Sequence, residues 1–533
     1  MNLGRYYYTL RYLKICQLFY QIVYRMKKLI RHYIGFRYPL LLPQKGIPLS
    51  FYSFISKYNS LYGNDIFYFL NQRSKFVHWD DEKYGKLWSY NLNYMDFLHQ
   101  DNSSFELGRY WINRFIDEIR YNKNGLDSYP IALRGINWIK FISLNYSNIS
   151  LEEKQKWDAS LYAQYKILQD NLEYHLLGNH LLEDAFSLLW AGLYFGDELI
   201  FRKAERLLFK ELEEQILPDG AHYELSPMYH EILLDRLLDC INVSKCNYRF
   251  DKQILLTSWL EEKAILMLGW LETIIYSDGS IPLFNDAANG IAPTSNEIFA
   301  YAHRLGLIWT KVPLKESGYR KFLSSRIEFT IDVGVIGPDY IPGHAHADTF
   351  NYELRIDGVP FIVDTGISTY NKNKRRQYER GTSAHNTVTL EDMNSSQVWG
   401  GFRVAKRATI VFLLEGEGEV RAIHNGYADI GVKHERIFRK IGDSIVIFDN
   451  LLSTKSVQGI NTIIFSPSVQ IVSMENNLIT TNKGKILMNG VDRIWLEECE
   501  VSDSYNVCLS THKICCLFTS DMEYSIYIYD KLK

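Results

Sequence analysis

The stretch TFNYELRIDGVPFIVDTG, residues 349–366, decides the fold of the second half of the chain. From Phe350 to Ile356 apolar residues alternate with polar ones, which is the period of a half-buried β-strand. The Asp357-Gly358 pair that follows is a strong signal for a two-residue hairpin turn. Pairing across this turn places six apolar side chains on one face. The predicted pairs are Ile356 with Val359, Leu354 with Phe361 and Tyr352 with Val363.

The two halves of the chain differ in hydrophobic period. From about residue 60 to 315, apolar residues recur at i, i+3, i+4 and i+7 with short breaks, a pattern typical of antiparallel helical hairpins. Beyond residue 326 the period is two, and strand-like runs such as SIVIFDNLL follow the hairpin. We therefore predict an α+β chain with an N-terminal segment and linker at 1–50, a helical domain at 51–320 and an antiparallel β-sandwich at 321–533.

Composition and charge exclude several classes of protein. The 533 residues are 47% hydrophobic and 23% charged, as in ordinary globular domains and unlike disordered or fibrous chains. The net charge of −3 is unevenly placed, because residues 1–64 contain ten Lys or Arg and no Asp or Glu. The rest of the chain is therefore strongly acidic, which argues against a nucleic-acid partner.

Residues 1–35 form a basic, aromatic segment that we expect to be one amphipathic helix. Arg11 and Lys14 interrupt its apolar run, so we expect neither a secretory signal nor a transmembrane helix. The seven cysteines lack a CxxC spacing and are expected to be free thiols of a reducing compartment. We expect a cytoplasmic protein whose residues 1–35 contact the inner membrane or a membrane-bound synthetic complex. The alternative is a basic helix packed on the acidic body.

Two clusters of polar residues lie at the ends of predicted helices. In GNHLLEDAF, His180 and Glu183 are three residues apart and share a helix face, next to Asn179. In DGAHYELSPMYHEIL, Tyr229 lies near a helix start, where a tyrosine can transfer protons. Taken separately, the first cluster also fits a helix cap with a solvated acidic face, and the second fits a packed aromatic residue.

A third cluster surrounds the hairpin. His344, His346, Asp364 and His385 are distributed over two strands and a loop. Imidazoles with one carboxylate suit zinc, with three protein ligands leaving one position open. The alternative is a hydrogen-bonded polar cluster at the rim of the sandwich.

These clusters together resemble the heparinase II/III-like polysaccharide lyases. The matching pieces are GNHLLEDA, DGAHYELSPMYH, GHAHADTFNYELRIDGVPFIVDTG and SAHNTV, in that order, with WSYNLNYMDFL (88–98) and LRGINWI (133–139) upstream. The resemblance runs from about residue 85 to at least 410. It implies an incomplete (α/α) toroid followed by a β-sandwich, and β-elimination on a uronic-acid-containing, glycosaminoglycan-like acidic polysaccharide.

The resemblance also implies roles for individual residues. Asn179 and His180, with His344, would neutralise the uronate carboxylate and stabilise the enolate. Tyr229 would act as base, acid or both, with a pKa lowered by neighbouring positive charge, and Glu183 would orient His180. The residues implied in substrate binding are Arg134, Asn137, Trp138, Glu224 and His230. The residues implied in holding a structural zinc ion, which fixes the loop carrying His344, are His346, Asp364 and His385.

Two alternatives remain open at this point. Uronyl C5-epimerases of similar architecture share the first proton abstraction but return the proton to the opposite face. A zinc-stabilised scaffold that binds glycan without catalysis would have no need of Asn179, His180, Tyr229 and His344 together. The expected absence of a secretory signal makes the chain similar to family members associated with the synthesis of bacterial surface polysaccharide.

Overall fold

The computed structural model describes residues 3–529, in which helices precede a large antiparallel β-structure. The α-helices are α1 (Leu3–Leu10), α2 (Ile15–Tyr33), α3 (Lys86–Tyr94), α4 (Phe105–Glu118), α5 (Ser128–Leu144), α6 (Leu151–Asp170), α7 (Gly178–Phe195), α8 (Glu198–Gln215), α9 (Pro227–Cys246), α10 (Gln253–Ile274), α11 (Ser295–Arg304) and α12 (Lys374–Glu379). The first ten strands are β1 (Leu61–Tyr62), β2 (Ile66–Phe69), β3 (Gln72–Lys75), β4 (Tyr319–Leu323), β5 (Ile327–Asp332), β6 (Tyr352–Ile356), β7 (Val359–Ile362), β8 (Val388–Thr389), β9 (Val398–Trp399) and β10 (Arg403–Val404). The remaining strands are β11 (Ile410–Gly416), β12 (Glu419–His424), β13 (Lys433–Ile441), β14 (Ser444–Leu452), β15 (Gln458–Ile464), β16 (Ile471–Glu475), β17 (Leu478–Thr481), β18 (Gly484–Ser504) and β19 (Val507–Ile528).

The helical domain is built from hairpins, as the periodicity predicts. Helices α5 and α6, α7 and α8, and α9 and α10 are joined by short connections and pack against each other. Helices α5 and α7 are buried on almost every side and carry Trp138 and Trp190 into the core. Burying such helices requires neighbours all round, which the surrounding hairpins supply.

A small sheet inside this region was not predicted. Strands β1, β2 and β3 form an antiparallel meander between the N-terminal segment and α3. Leu70 and Asn71 both have positive φ, as a two-residue hairpin turn requires. The strands have two to four residues each, too few for a period of two to be recognised in the sequence.

The C-terminal half is the predicted β-sandwich. A four-stranded sheet has the order β4-β5-β6-β7, and the larger sheet has the order β11-β12-β13-β14-β19-β18-β17-β16. In the larger sheet β15 also pairs with β19, and β8 pairs with β15. One apolar core contains residues of both sheets, among them Phe329, Leu354, Phe438 and Tyr524. The first strand of the sandwich, β4, begins at Tyr319, close to the predicted start of this domain. The predicted α+β fold class is confirmed.

The register of the decisive hairpin differs from the prediction in one respect. Asp357 and Gly358 have positive φ, and Ile356 pairs with Val359 as expected. Leu354, however, pairs with Ile362, and the ladder does not extend to the predicted pair of Tyr352 with Val363. The prediction is wrong beyond the turn because Pro360 has no N–H for the ladder and a β-bulge forms there.

The N-terminal segment forms two helices, not one. Helices α1 and α2 are separated by a turn at residues 11–14 and pack against the rest of the chain. Gln17 is buried and donates to the carbonyls of Leu176 and Tyr340. Within residues 3–529 no helix is both long enough and apolar enough to cross a membrane.

Candidate active site

Asn179 and His180 lie in the first turn of α7, after two residues with positive φ. Leu177 and Gly178 have φ of 66° and 61°. A Cβ on Gly178 would lie 2.6 Å from Oε1 of Glu224, so only glycine allows that carboxylate to approach. This tight entry into the helix positions the buried Asn179 against Glu224.

The amide of Asn179 is held by Glu224 and faces His344. Its Nδ2 donates to both carboxylate oxygens of Glu224 at 3.0 Å, and its backbone N–H donates to Oε1 at 2.9 Å. The same Nδ2 lies 3.4 Å from Nε2 of His344. Glu224, predicted as a substrate-binding residue, therefore orients Asn179.

Tyr229 lies at the start of α9, where Ser226 caps the helix and Pro227 occupies its first turn. Its ring stacks on His344, with centroids 3.9 Å apart and planes inclined by 30°. Its hydroxyl lies 3.2 Å from that of Tyr370. Tyrosine and imidazole from the two halves of the chain thus meet in one contact.

The predicted lowering of the Tyr229 pKa is wrong. Burial has the largest effect and raises the pKa of this hydroxyl. The carboxylates of Asp286 and Glu224 also raise it, against the lowering by the hydrogen bond with Tyr370 and by Arg376. The hydroxyl is therefore protonated in the resting site, which suits a proton donor.

The position of His344 is fixed by Asp286, a buried carboxylate that the sequence did not reveal. Asp286 accepts from Nδ1 of His344 at 2.9 Å, from Nε2 of His346 at 2.8 Å and from both terminal nitrogens of Arg376. Burial alone would raise the pKa of Asp286, but the charge of Arg376 and these hydrogen bonds hold it well below its usual range. The ionised carboxylate orients His344 with Nε2 toward Asn179 and Glu224.

His180 is oriented by Glu173, which corrects the role expected for Glu183. Nδ1 of His180 lies 3.0 Å from Oε2 of Glu173, and its ring contacts Tyr129 edge to face. Burial lowers the pKa of His180, but the charge and hydrogen bond of Glu173, together with the charges of Glu224 and Glu183, raise it by more. Glu183 is buried near Arg236, 3.8 Å away, because its position three residues on directs it into the helical core.

Comparison with known proteins places this geometry in a family. The heparinase II/III N-terminus profile matches residues 66–303, and the profile described as heparinase II/III-like, C-terminal, matches residues 309–513. The chain belongs to the heparinase II/III-like family. The similarity predicted from the four sequence pieces is therefore confirmed.

Individual relatives of this heparinase II/III-like chain are distant. A heparin-sulfate lyase of Pedobacter heparinus is 27% identical over 249 residues, covering 41% of this chain and 36% of the relative. A heparin-sulfate lyase of Bacteroides stercoris is 24% identical over 318 residues, covering 53% and 45% respectively. The chain thus matches less than half the length of these relatives. The crystal structure of heparinase III has the same fold, with a TM-score of 0.65, 15% identity and coverage of 86% of this chain and 80% of that one.

Four residues of the heparinase II/III-like chain that were predicted to bind substrate are buried in its core: Arg134, Asn137, Trp138 and His230. Arg134 donates to the carbonyls of Asn93 and Gly125 and to Gln164. Asn137 donates to Asp96 and to the carbonyl of Tyr94. These predictions are corrected, because α5 and the first turns of α9 are enclosed by neighbouring helices.

The remaining two of the four make internal contacts as well. The indole of Trp138 donates to the sulfur of Met95 at 3.1 Å. His230 lies 3.1 Å from the carbonyl of Met267 through Nε2, and its Nδ1 accepts from the backbone of His222. Burial lowers the pKa of His230 to about 3, so this imidazole is neutral. Both side chains are structural.

A cavity of about 1590 Å³ contains the site and is lined by both domains and by the N-terminal helices. Asn179, His180, Tyr229 and His344 line it together with Glu224. Gln17, Gln21 and Arg25 of α2 contribute to its wall, although they lie outside the ranges that match the family. The cationic side chains Arg25, Lys372 and Arg403 line it without an ion pair to any residue from 3 to 529.

Two of the three predicted zinc ligands next to this cavity have a ring nitrogen that could bind a metal. Nδ1 of His346 and Nε2 of His385 are buried without a hydrogen-bond partner among the described residues, and the two rings lie 5.4 Å apart. Asp364 instead accepts from Nδ1 of His385 at 2.7 Å and from Asn351. No three metal-binding side chains of residues 3–529 converge on one point. The two unpartnered imidazole nitrogens suit a metal, whereas Asp364 is engaged by His385 and Asn351.

Proposed function

We propose that this protein is a polysaccharide lyase that cleaves a uronic-acid-containing acidic polysaccharide by β-elimination. The observation that carries the proposal is the contact of Tyr229 with His344 beside Asn179, at the wall of one large cavity. A protonated hydroxyl, an imidazole and an amide are the groups that an elimination next to a carboxylate requires. The heparin-sulfate lyases among the relatives support the same reaction class.

His180 and Asn179 are proposed to receive the uronate carboxylate. Removing the C5 proton adds negative charge to a group that is already negative, so a counter-charge lowers the barrier. His180, whose pKa is raised by Glu173, supplies that charge as an imidazolium. Asn179 contributes its amide hydrogens by exchanging its contact with Glu224 for the substrate carboxylate.

The protons are proposed to move through His344 and Tyr229. Asp286 holds Nδ1 of His344, which leaves Nε2 to take the C5 proton. The electrons of the C5–H bond form the C4–C5 double bond, the C4–O4 bond breaks, and O4 takes the proton of the Tyr229 hydroxyl. The imidazolium of His344 then releases its proton to water and the phenolate takes a proton from water, which restores both groups.

The cavity wall is proposed to bind the flanking sugars of the polymer. Arg25, Lys372 and Arg403 place positive charge along it, which favours carboxylate or sulfate groups. We also propose that the unpartnered ring nitrogens of His346 and His385 hold a structural zinc ion, and that Asp364 joins them by leaving its hydrogen bonds with His385 and Asn351. Such an ion would fix the segment that carries His344, and it would not take part in the chemistry.

The test is a panel of acidic polysaccharides assayed for the ultraviolet absorbance of a C4–C5 double bond conjugated to a carboxylate. The wild-type protein is expected to generate this chromophore on at least one uronic-acid polymer. The variant Tyr229→Phe is expected to generate it far more slowly on the same polymer. Absence of the chromophore on polymers that the protein demonstrably binds would contradict the lyase proposal.

A further inference from the structure

Helix α2 packs on the rest of the chain through its polar face. Tyr24 donates to the carbonyl of Leu172 at 2.5 Å, and Arg31 contacts Asp170 at 2.5 Å. Lys27 also binds Asp170, and Tyr20 stacks on Tyr174 with ring centroids 4.6 Å apart. The anchoring of this helix therefore uses hydrogen bonds, ion pairs and aromatic rings.

The opposite face of α2 is apolar and exposed. Its residues recur at the helical spacing of three or four positions, so they form one stripe along the helix. The exposed members are Ile15, Leu18, Phe19, Ile22, Met26, Leu29, Ile30 and Tyr33. Ile15, Leu29 and Tyr33 are 85%, 69% and 91% exposed. A helix that packs on its own protein normally turns this stripe inward, so a continuous outward stripe marks an interaction surface.

Helix α1 and the residues after α2 also expose apolar side chains. Leu3 and Tyr7, one turn apart, are 78% and 64% exposed. Beyond the end of α2, Ile34 and Phe36 are also exposed. Exposed apolar side chains therefore occur along the whole N-terminal segment, from Leu3 to Phe36.

The charged side chains of α1 and α2 are all basic. Arg25 and Lys28 lie along one edge of the α2 stripe, and neither forms an ion pair within the described residues. Residues 1–64 contain no Asp or Glu. An apolar stripe on a helix whose charged side chains are all basic is the pattern of a helix lying in the interface of an anionic bilayer.

We propose that the outward face of α1 and α2 docks on an anionic lipid surface, with α2 lying in the plane of the interface. The polar face of α2 is bound to the body, so the helix cannot insert across the bilayer. Because Gln17, Gln21 and Arg25 also line the cavity, docking holds this wall of the cavity close to the lipid surface. Docking on lipid does not depend on which reaction takes place in the cavity.

The test is flotation of the full-length protein with vesicles of phosphatidylcholine alone or with phosphatidylglycerol. The wild-type protein is expected to float with the anionic vesicles and to remain unbound with the neutral ones. The double variant Ile22→Asp/Leu29→Asp should reduce partitioning by about a hundredfold, since it removes two apolar contacts and adds two negative charges. Neither side chain lines the cavity or is buried, so folding and catalysis should be retained.

The matched control is Leu199→Asp/Ile308→Asp, which changes two apolar residues that are 81% and 83% exposed elsewhere in the helical domain. This control should float as the wild-type protein does. Equal flotation of the stripe variant and the control, or no flotation of the wild-type protein, would overturn the proposal. The proposal would also be overturned if the wild-type protein formed a dimer without lipid and the stripe variant were a monomer, because the surface would then bind a second copy.

Discussion

At the scale of single residues, the proposed reaction depends on the hydroxyl group of Tyr229. Its hydroxyl is protonated in the resting site, because burial raises its pKa, and it is the donor placed for the departing O4. Tyr229→Phe removes only that oxygen and keeps the ring on His344. We expect kcat to fall by about 10²–10⁴ while KM and the thermal midpoint change little.

The kinetic control is Tyr248→Phe, which removes a hydroxyl from a ring that is 60% exposed and distant from the cavity lining. Its kcat should match that of the wild-type protein. Full activity in Tyr229→Phe would show that another group transfers the proton.

The pair of His180 and Glu173 predicts a pH dependence of substrate binding. Glu173 raises the pKa of His180, so the imidazolium persists to higher pH than that of an ordinary histidine. KM for an acidic polymer should therefore stay low below this raised pKa and climb as pH passes through it. In Glu173→Gln the climb should begin at lower pH, whereas Glu152→Gln, at an exposed position, should leave the profile unchanged.

The partner of His180 also shows why sequence reasoning reached some residues and missed others. Glu183 lies three positions from His180, and helical spacing alone makes it the expected partner. The observed partner, Glu173, precedes the helix, and the turn at Leu177 and Gly178 places it beside His180. Asp286 and Arg376 are separated by 90 positions and have no periodic signal, so only the fold reveals their contact.

At the scale of elements, the decisive hairpin was predictable as far as its turn. The Asp357-Gly358 turn and the pair of Ile356 with Val359 follow from local chemistry. The bulge at Pro360 shifts the register beyond the turn, and the amide of Asn386 donates to the carbonyls of Tyr352 and Val363 where the ladder ends. That contact comes from a distant segment and could not be inferred from the alternation alone.

Helix α5 gives a prediction that separates a structural role from a binding role. Arg134 is buried and its pKa is lowered to about 9 by burial, while three internal acceptors hold it. Arg134→Met should leave these acceptors unsatisfied and lower the free energy of unfolding by about 3 kcal/mol. KM of the folded fraction should not change. The exposed Arg202→Met serves as control and should cost less than about 0.5 kcal/mol in urea titrations.

The residues proposed to bind zinc near β7 lead to a prediction about the metal content of the protein. If His346, Asp364 and His385 hold zinc, elemental analysis should find about one equivalent per chain. His385→Ala should then lower the thermal midpoint more than it alters KM, because the ion supports structure. His78→Ala, at an exposed position, should change neither quantity. Well under one equivalent of any transition metal in protein purified without chelator would contradict this prediction.

At the scale of the whole molecule, the site exists only where the two domains meet. The helical domain supplies Asn179, His180 and Tyr229, and the segment before β6 supplies His344. Asp286 joins the halves by binding His344, His346 and Arg376 together. The order of domains was predictable from the change of period, but their relative placement around a cavity follows from these long-range contacts.

The central claim is that proton removal at C5 leads to elimination at this interface. Incubating the wild-type protein with a uronic-acid polymer in D₂O tests it most directly, because elimination and epimerisation diverge only after the proton leaves. The account predicts shorter chains with unsaturated ends. Tyr229→Phe should suppress both the shortening and the formation of unsaturated ends. Incorporation of deuterium at C5 into polymer of unchanged length would contradict the lyase account and indicate an epimerase.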